Sequence, residues 1–394
     1  MTGLYSDRLH LILGYACNHK CRYCVQEIHG RPAGFGKQLS QNTLFIIQDR
    51  ARKISPRPLK ITFFGGEPLL YGKALKEILE NVTEPNIRWK IHTNGALLTR
   101  DFVTLFNKHR VHVGLSHDGP AVIQTRGVDV LQSPEIIGLF NDIRDRAVDF
   151  VVTSYTQDFY ALRNYFCEKF QRDDWRLKPA FLVNPSEVPA DMLQWNFSAW
   201  QSTSQQMMRN AFEQLIRHNC DPRQWESAFV TRVIGDYFHP IAESPYIRLN
   251  ERCLVPHIDL SGRLSFCERL EAVLLHLDRT NGENWNSAVI RLTDQLHRNC
   301  PNCAVFDFCR GQCPVASPRG ATSQCKLLNI FYSEVSHLID RLAETHPEIL
   351  RNIIKNHFSE EHIRRVASGK HSSEKQTLLK AFNALSDLRK EYRQ

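Results

Sequence analysis

Apolar runs and amphipathic stretches alternate along the first half of the chain, and that alternation predicts its elements. Strands are expected over Leu9–Leu13, Leu59–Phe64, Ile87–His92, Val111–Ser116, Val148–Ser154 and Arg176–Val183. Helical spacing lies between them, over Gln41–Lys53, Lys73–Glu80, Asp101–Lys108, Pro134–Arg146 and Phe159–Phe170. Such alternation predicts right-handed βαβ units around a parallel sheet, either an open sheet or a partial (β/α)6 barrel. Both place function at the carboxyl ends of the strands.

Pro185 and Pro189 break the pattern. A helical stretch follows to about residue 240, with Trp195, Trp200 and Phe212 as core candidates. Residues from about 251 to 326 are turn-rich and nearly aperiodic, so a metal there would replace a missing core. Helical spacing returns near the end, at Leu378, Phe382, Leu385 and Leu388, after a break at Gly369 and Ser372. Four regions are therefore expected: 1–190, 191–250, 251–326 and 327–394.

Composition is globular, with 42% hydrophobic and 23% charged residues in 394. The net charge of +8 permits an acidic partner without requiring one. Residues 351–394 hold ten Lys and Arg against five Asp and Glu, which reads as a solvated basic helical face. No apolar run reaches membrane-spanning length, and no signal peptide precedes Leu9, so a cytoplasmic protein without membrane association is expected. Against that background the 12 cysteines stand out and point to metal rather than disulfides.

Cys17, Cys21 and Cys24 form C-x3-C-x2-C directly after the first strand. Three thiolates so spaced can hold three irons of a [4Fe–4S] cluster and leave the fourth iron open. A zinc site completed by His19 or His29 is the alternative on these residues alone. Three more motifs follow at strand ends: Gly65-Gly66-Glu67-Pro68, Thr93-Asn94-Gly95 and Ser116-His117-Asp118-Gly119-Pro120. All would lie on one rim of a parallel barrel. Taken together, residues 8–183 resemble the radical S-adenosylmethionine (radical SAM) superfamily.

The resemblance implies that SAM chelates the open iron and is cleaved reductively to a 5′-deoxyadenosyl radical, which abstracts hydrogen from a substrate carbon. It assigns Cys17, Cys21 and Cys24 to the cluster. For SAM it suggests Gly65, Gly66 and Glu67 at the methionyl amine, Ser116 and Arg126 at the carboxylate, Asn94 at the ribose and Tyr23 against the adenine. Asp118, Asp149 and Tyr155 are candidates for a catalytic base, and nothing in the sequence selects among them.

The later cysteines read Cys253-x13-Cys267, then Cys300-x2-Cys303-x5-Cys309-x3-Cys313-x11-Cys325, with Gly262 five residues before Cys267. This resembles the SPASM domain, the auxiliary-cluster extension of a subset of radical SAM enzymes. The likeness implies one further [4Fe–4S] cluster on Cys253, Cys267 and Cys313, and another on Cys300, Cys303, Cys309 and Cys325. The first is one thiolate short, and Cys220 is a candidate for the gap. Paired zinc sites are the alternative.

That subset mostly modifies peptides and proteins. The expected function is a maturase of a ribosomal peptide that forms a carbon–carbon, thioether or ether cross-link. Flavodoxin or ferredoxin would be the reductant. With the first strand at Leu9, no leader-binding domain is expected before it, so a separate leader-binding protein is a candidate partner. A sulfatase-maturase-like oxidase of Cys or Ser is the second reading. An iron–sulfur protein that binds nucleic acid through its basic helices is the third, and nucleic acid is not the expected partner.

Overall fold

The strand pattern becomes one sheet in the computed structural model, which describes residues 7–24, 38–172, 177–181, 188–218, 221, 224–238, 255–265 and 318–357. Strands β1 (Arg8–Gly14), β2 (Leu59–Gly65), β3 (Ile87–Thr93), β4 (His112–Ser116), β5 (Arg146–Val152) and β6 (Leu177–Phe181) lie side by side in chain order. All five pairings are parallel. Helices α1 (Gln41–Ile54), α2 (Gly72–Asn81), α3 (Arg100–Lys108), α4 (Val122–Arg126), α5 (Pro134–Asn141) and α6 (Phe159–Phe170) fall between them. This is the expected partial, TIM-like α/β barrel.

Side-chain alternation explains the layering. Leu9 and Leu11 on β1, Ile61 and Phe63 on β2, Ile91 on β3 and Val113 and Leu115 on β4 are completely buried. Phe63 stacks on Trp89 of the next strand at 5.3 Å between centroids. The intervening positions carry polar groups on the other face: His10, Thr62, Lys90, His92 and His112.

A seventh parallel strand was not expected. β7 (His257–Asp259) pairs with β1 at the opposite edge from β6 and turns back antiparallel into β8 (Leu264–Ser265). Its three residues, in a turn-rich stretch, are too few to show a period. Thr43 in the first turn of α1 holds this edge. Its hydroxyl is fully buried within reach of the carbonyls of Asp259 (3.1 Å) and Leu260 (2.9 Å), and Ser40 N–H donates to Leu260 at 2.8 Å. Thr43→Val is expected to lower stability by about 0.5–1.5 kcal/mol, the worth of one lost hydrogen bond, because Gly262 N–H and Ser40 N–H still serve the carbonyls of Asp259 and Leu260. The denaturation midpoint at constant m checks this.

The helix expected over Pro134–Arg146 stops at Asn141. The chain turns at Asp142, Asn107 Oδ1 takes the Arg144 N–H, Ile143 is fully buried, and Arg146 already opens β5. The short helix α4 was not expected either. Gly127 closes it in the left-handed conformation, at φ +79°.

The described residues form two compact units. The first runs to Gln194 and includes β7 and β8. The second holds α7 (Phe197–His218), α8 (Trp225–Phe238), α9 (Pro318–Thr345) from Ala321 onward, and α10 (Pro347–His357). In it Trp200 is buried and donates its indole N–H to Leu327 O at 2.8 Å, and Phe331 packs on both Trp200 and Phe229. Phe212 is core as expected, whereas Trp195 is half-buried and precedes the helix. The two described ends of the 251–326 stretch fall in different units: β7 and β8 join the barrel sheet, and Cys325 sits exposed on α9. Cys220, Cys253, Cys267, Cys300, Cys303, Cys309, Cys313 and the helical spacing at 378–388 lie outside the described residues. No described helix is long and apolar enough to cross a membrane.

Candidate functional site

The carboxyl ends of β1 to β4 meet in a network of short bonds. β1 ends at Gly14, and residues 15–24 carry the three half-buried cysteines on an open loop. β2 arrives beside it so closely that its glycines are required. A Cβ on Gly65 would lie 2.1 Å from Gly14 O, and one on Gly66 would lie 2.1 Å from Ala16 O. Gly66 N–H donates to Gly14 O and Glu67 N–H to Ala16 O, both at 2.9 Å. These glycines let two strand ends approach each other.

Glu67 is turned inward and only 2% exposed. Its Oε1 accepts from Leu69 N–H (3.0 Å) and the Thr93 hydroxyl (2.7 Å), and its Oε2 accepts from Asn94 N–H (2.8 Å). Burial raises its pKa against these hydrogen bonds. Asn94 in turn donates its side-chain amide to Asn18 Oδ1 at 2.8 Å, inside the cysteine loop. The Glu67 carboxylate and the Asn94 amide thus bind the loops to one another.

The other end of the cysteine loop is fastened to β4. Asp118 is completely buried. Its Oδ2 accepts from the Tyr23 hydroxyl (2.6 Å), the Thr125 hydroxyl (2.7 Å) and Arg126 Nε (2.9 Å), and its Oδ1 accepts from Val151 N–H (3.0 Å). Burial alone would raise the Asp118 pKa, but Arg126 and these donors hold it below the ordinary carboxylate range. Arg126 is itself buried, 5.4 Å from the centre of the Tyr23 ring. Arg22 N–H donates to Thr125 O at 2.9 Å, and the Arg22 guanidinium pairs with Asp191 at 2.8 Å. Asp118 thus faces protein rather than a cavity, and Tyr155 is an exposed residue bonded to Asp191. Neither is placed as a catalytic base. Ser116 is half-buried at the last position of β4.

His117 completes the rim. Gly119 N–H donates to its Nδ1 and its Nε2 faces Asp129, both at 3.0 Å. Burial lowers its pKa, so the neutral ring carries its proton on Nε2 and orders the loop after β4.

The donor set fits an iron–sulfur cluster. Three soft thiols stand on one loop, and Cys24 N–H closes a turn onto Cys21 O at 3.0 Å. Burial pushes the Cys21 thiol up to about 11 despite Arg126, so metal uptake there has to expel a proton.

The sequence offered Thr93 only as part of its motif and gave no signal for Asn18 or Thr125, each of which acts through a side chain elsewhere, Asn94 and Asp118. Of the expected residues, Gly65, Gly66, Glu67 and Asn94 meet at one end of the cysteine loop and Tyr23 and Arg126 at the other, with Cys17, Cys21 and Cys24 on the loop between them.

Comparison with known proteins agrees with this geometry. Residues 11–131 match the family model of the Radical SAM superfamily. The chain is similar to the radical SAM cyclopropyl synthase TigE of Paramaledivibacter caminithermalis, at 27% identity over 134 residues, 30% of this chain and 28% of that protein. It is also similar to the serine-type anaerobic sulfatase-maturating enzyme of Klebsiella aerogenes, at 30% identity over 121 residues, 28% of this chain and 29% of that protein. The matches thus span less than a third of either relative. Among solved structures, native anSMEcpe with bound AdoMet superposes with a TM-score of 0.56 over 85% of this chain and 100% of that one, at 17% identity. At that identity the likeness is one of fold.

Proposed function

We propose that the radical SAM domain of this chain belongs to an enzyme that modifies a peptide, forming a cross-link between side chains. The observation that carries the reading is the rim network: the cysteine loop, the Gly65–Glu67 turn, Asn94 and the Asp118–Arg126 pair are bonded into one frame at the carboxyl ends of parallel strands. When bound, the cluster and SAM supply an electron and a 5′-deoxyadenosyl radical.

The residues' own work is to bind and orient. Cys17, Cys21 and Cys24 hold the cluster. Main-chain groups at Gly65 and Gly66 receive the methionyl amine, close to backbone because neither glycine carries a Cβ. Ser116 and the Arg126 Nη1, which makes no hydrogen bond among the described residues, receive the carboxylate. Tyr23, held by Asp118, packs against the adenine. Residues 251–326 form the SPASM domain, with Cys253, Cys267 and Cys313 at one auxiliary cluster and Cys300, Cys303, Cys309 and Cys325 at the other. A flavodoxin or ferredoxin supplies electrons, and a separate protein recognises the leader.

A peptide substrate is favoured by the relatives. One curated relative is by name a cyclopropyl synthase, and a fold neighbour with TM-score 0.56 and 18% identity was solved with AdoMet and a Cp18Cys peptide. The match to a sulfatase-maturating enzyme supports the second reading, oxidation of a single Cys or Ser. One experiment separates them. The reconstituted protein, reduced anaerobically, is incubated with SAM and the short peptide encoded beside its gene. The expected result is 5′-deoxyadenosine together with a peptide lighter by two hydrogens, whose fragments show two residues joined. A formyl group on a single residue would support the second reading, and no 5′-deoxyadenosine would overturn both.

A further inference from the structure

The face of the sheet turned away from the helices carries an arrangement that the rim network does not use. His92, on β3, and Asp149, on β5, are separated by β4, yet His92 Nδ1 and Asp149 Oδ2 are 2.7 Å apart. The carboxylate reaches across the strand because position 114 is glycine. A Cβ on Gly114 would lie 1.7 Å from Asp149 Oδ2 and 3.1 Å from His92 Nδ1. The φ of Gly114 needs no glycine, so it is the space that requires one. Three strands thus cooperate to place one carboxylate against one ring nitrogen.

The protonation states follow from the surroundings. Burial alone would raise the Asp149 pKa. The hydrogen bond from His92 and the nearby charges of Lys90 and Lys178 act against that, and Asp149 lies below the usual carboxylate range. An ionised carboxylate only accepts, so His92 Nδ1 is the donor. In a neutral ring the lone pair then sits on Nε2, which makes no hydrogen bond among the described residues and has His10 as an electrostatic neighbour of its ring. The His92 side chain is 35% exposed, while that of Asp149 is 14% exposed. Other titratable groups on this face do not compete. His10 and His257 face each other at 3.1 Å, and burial lowers them to about 3 and about 4. Lys178 is in contact with His112, which also faces Asp145 at 2.9 Å.

We propose that His92 is the proton acceptor of the barrel interior, with Asp149 as the positioning residue that fixes its tautomer and aim. The transfer is a simple one: a protic O–H, N–H or S–H of the bound substrate gives its proton to His92 Nε2, leaving the conjugate base and an imidazolium paired with Asp149. His92 immediately precedes Thr93 and Asn94, whose bonds to Glu67 and Asn18 tie this strand end to the cysteine loop. The inference deepens the reading above by naming the group that handles a substrate proton, and its test needs neither cluster nor SAM.

The test is made on the full chain with 15N-labelled histidine. Nitrogen chemical shifts are expected to show His92 with its proton on Nδ1 and a bare Nε2, and Asp149→Asn to move the proton to Nε2. Diethyl pyrocarbonate, which acylates an unprotonated ring nitrogen, is expected to label His92 at Nε2 in the unsubstituted protein and at least about tenfold more slowly in Asp149→Asn, in keeping with the cost of a wrong tautomer in acid–base triads. A proton on Nε2 in the unsubstituted protein, or equal labelling of both proteins, would overturn the proposal. Failure of SAM cleavage would sink the radical reading and leave this result standing.

Discussion

Cys21→Ala is expected to abolish formation of 5′-deoxyadenosine from SAM. In the proposed cluster Cys21 is the middle of three ligands, between Cys17 and Cys24 in the chain. Removing it leaves Cys17 and Cys24 to hold a cluster that needs three protein thiolates. Its carbonyl still closes the turn with Cys24 N–H, so alanine keeps the backbone of the loop. The thiol is partly buried and raised to about 11, which makes the methyl group a tolerable replacement for folding. The result expected is therefore a folded protein with little iron and sulfide and no cleavage, read by metal analysis and by chromatography of the nucleoside product. Cleavage at the unsubstituted rate would remove these cysteines from the site.

The second large effect is on stability. Asp118→Asn keeps the shape of the side chain and removes its charge, leaving Arg126 buried without a counter-ion. Breaking such a pair from one side costs about 3–5 kcal/mol. The pH dependence gives an independent sign. The folded pKa of Asp118 is depressed. Its contribution is thus complete above the unfolded carboxylate range, around pH 4, and is lost as pH falls through the lower folded value. Denaturation followed from neutral to acid pH should show the unsubstituted protein losing stability toward acid. Asp118→Asn should start lower and lack that part of the slope. A difference that is small and constant with pH would mean that Arg126 finds another partner.

Much of the barrel was legible because its signals are local. Apolar alternation in Leu9–Leu13 and Leu59–Phe64 announces strands wherever one face is buried, and the cysteine spacing is visible within eight residues. What escaped depends on neighbours far along the chain. Gly114 looks like any strand glycine until Asp149 is seen lying over it. Asp118 reads as a turn residue, and only the approach of Tyr23 and Arg126 shows that it is a buried anchor. Glu67 shows the same limit from the other side. Its motif was recognised, but a carboxylate next to two glycines carries no mark of which way it points. β7 escaped for a simpler reason, since three residues hold no period.

The inward-facing Glu67 has a practical consequence for anyone who would recombine this scaffold. One carboxylate is shared by the turn after β2 and the segment after β3, and that segment reaches the cysteine loop through Asn18. These pieces are interchangeable only as a set. A chimaera that imports a foreign loop without its matching Asn94 and Asp118 partners would inherit the cysteines and lose their alignment.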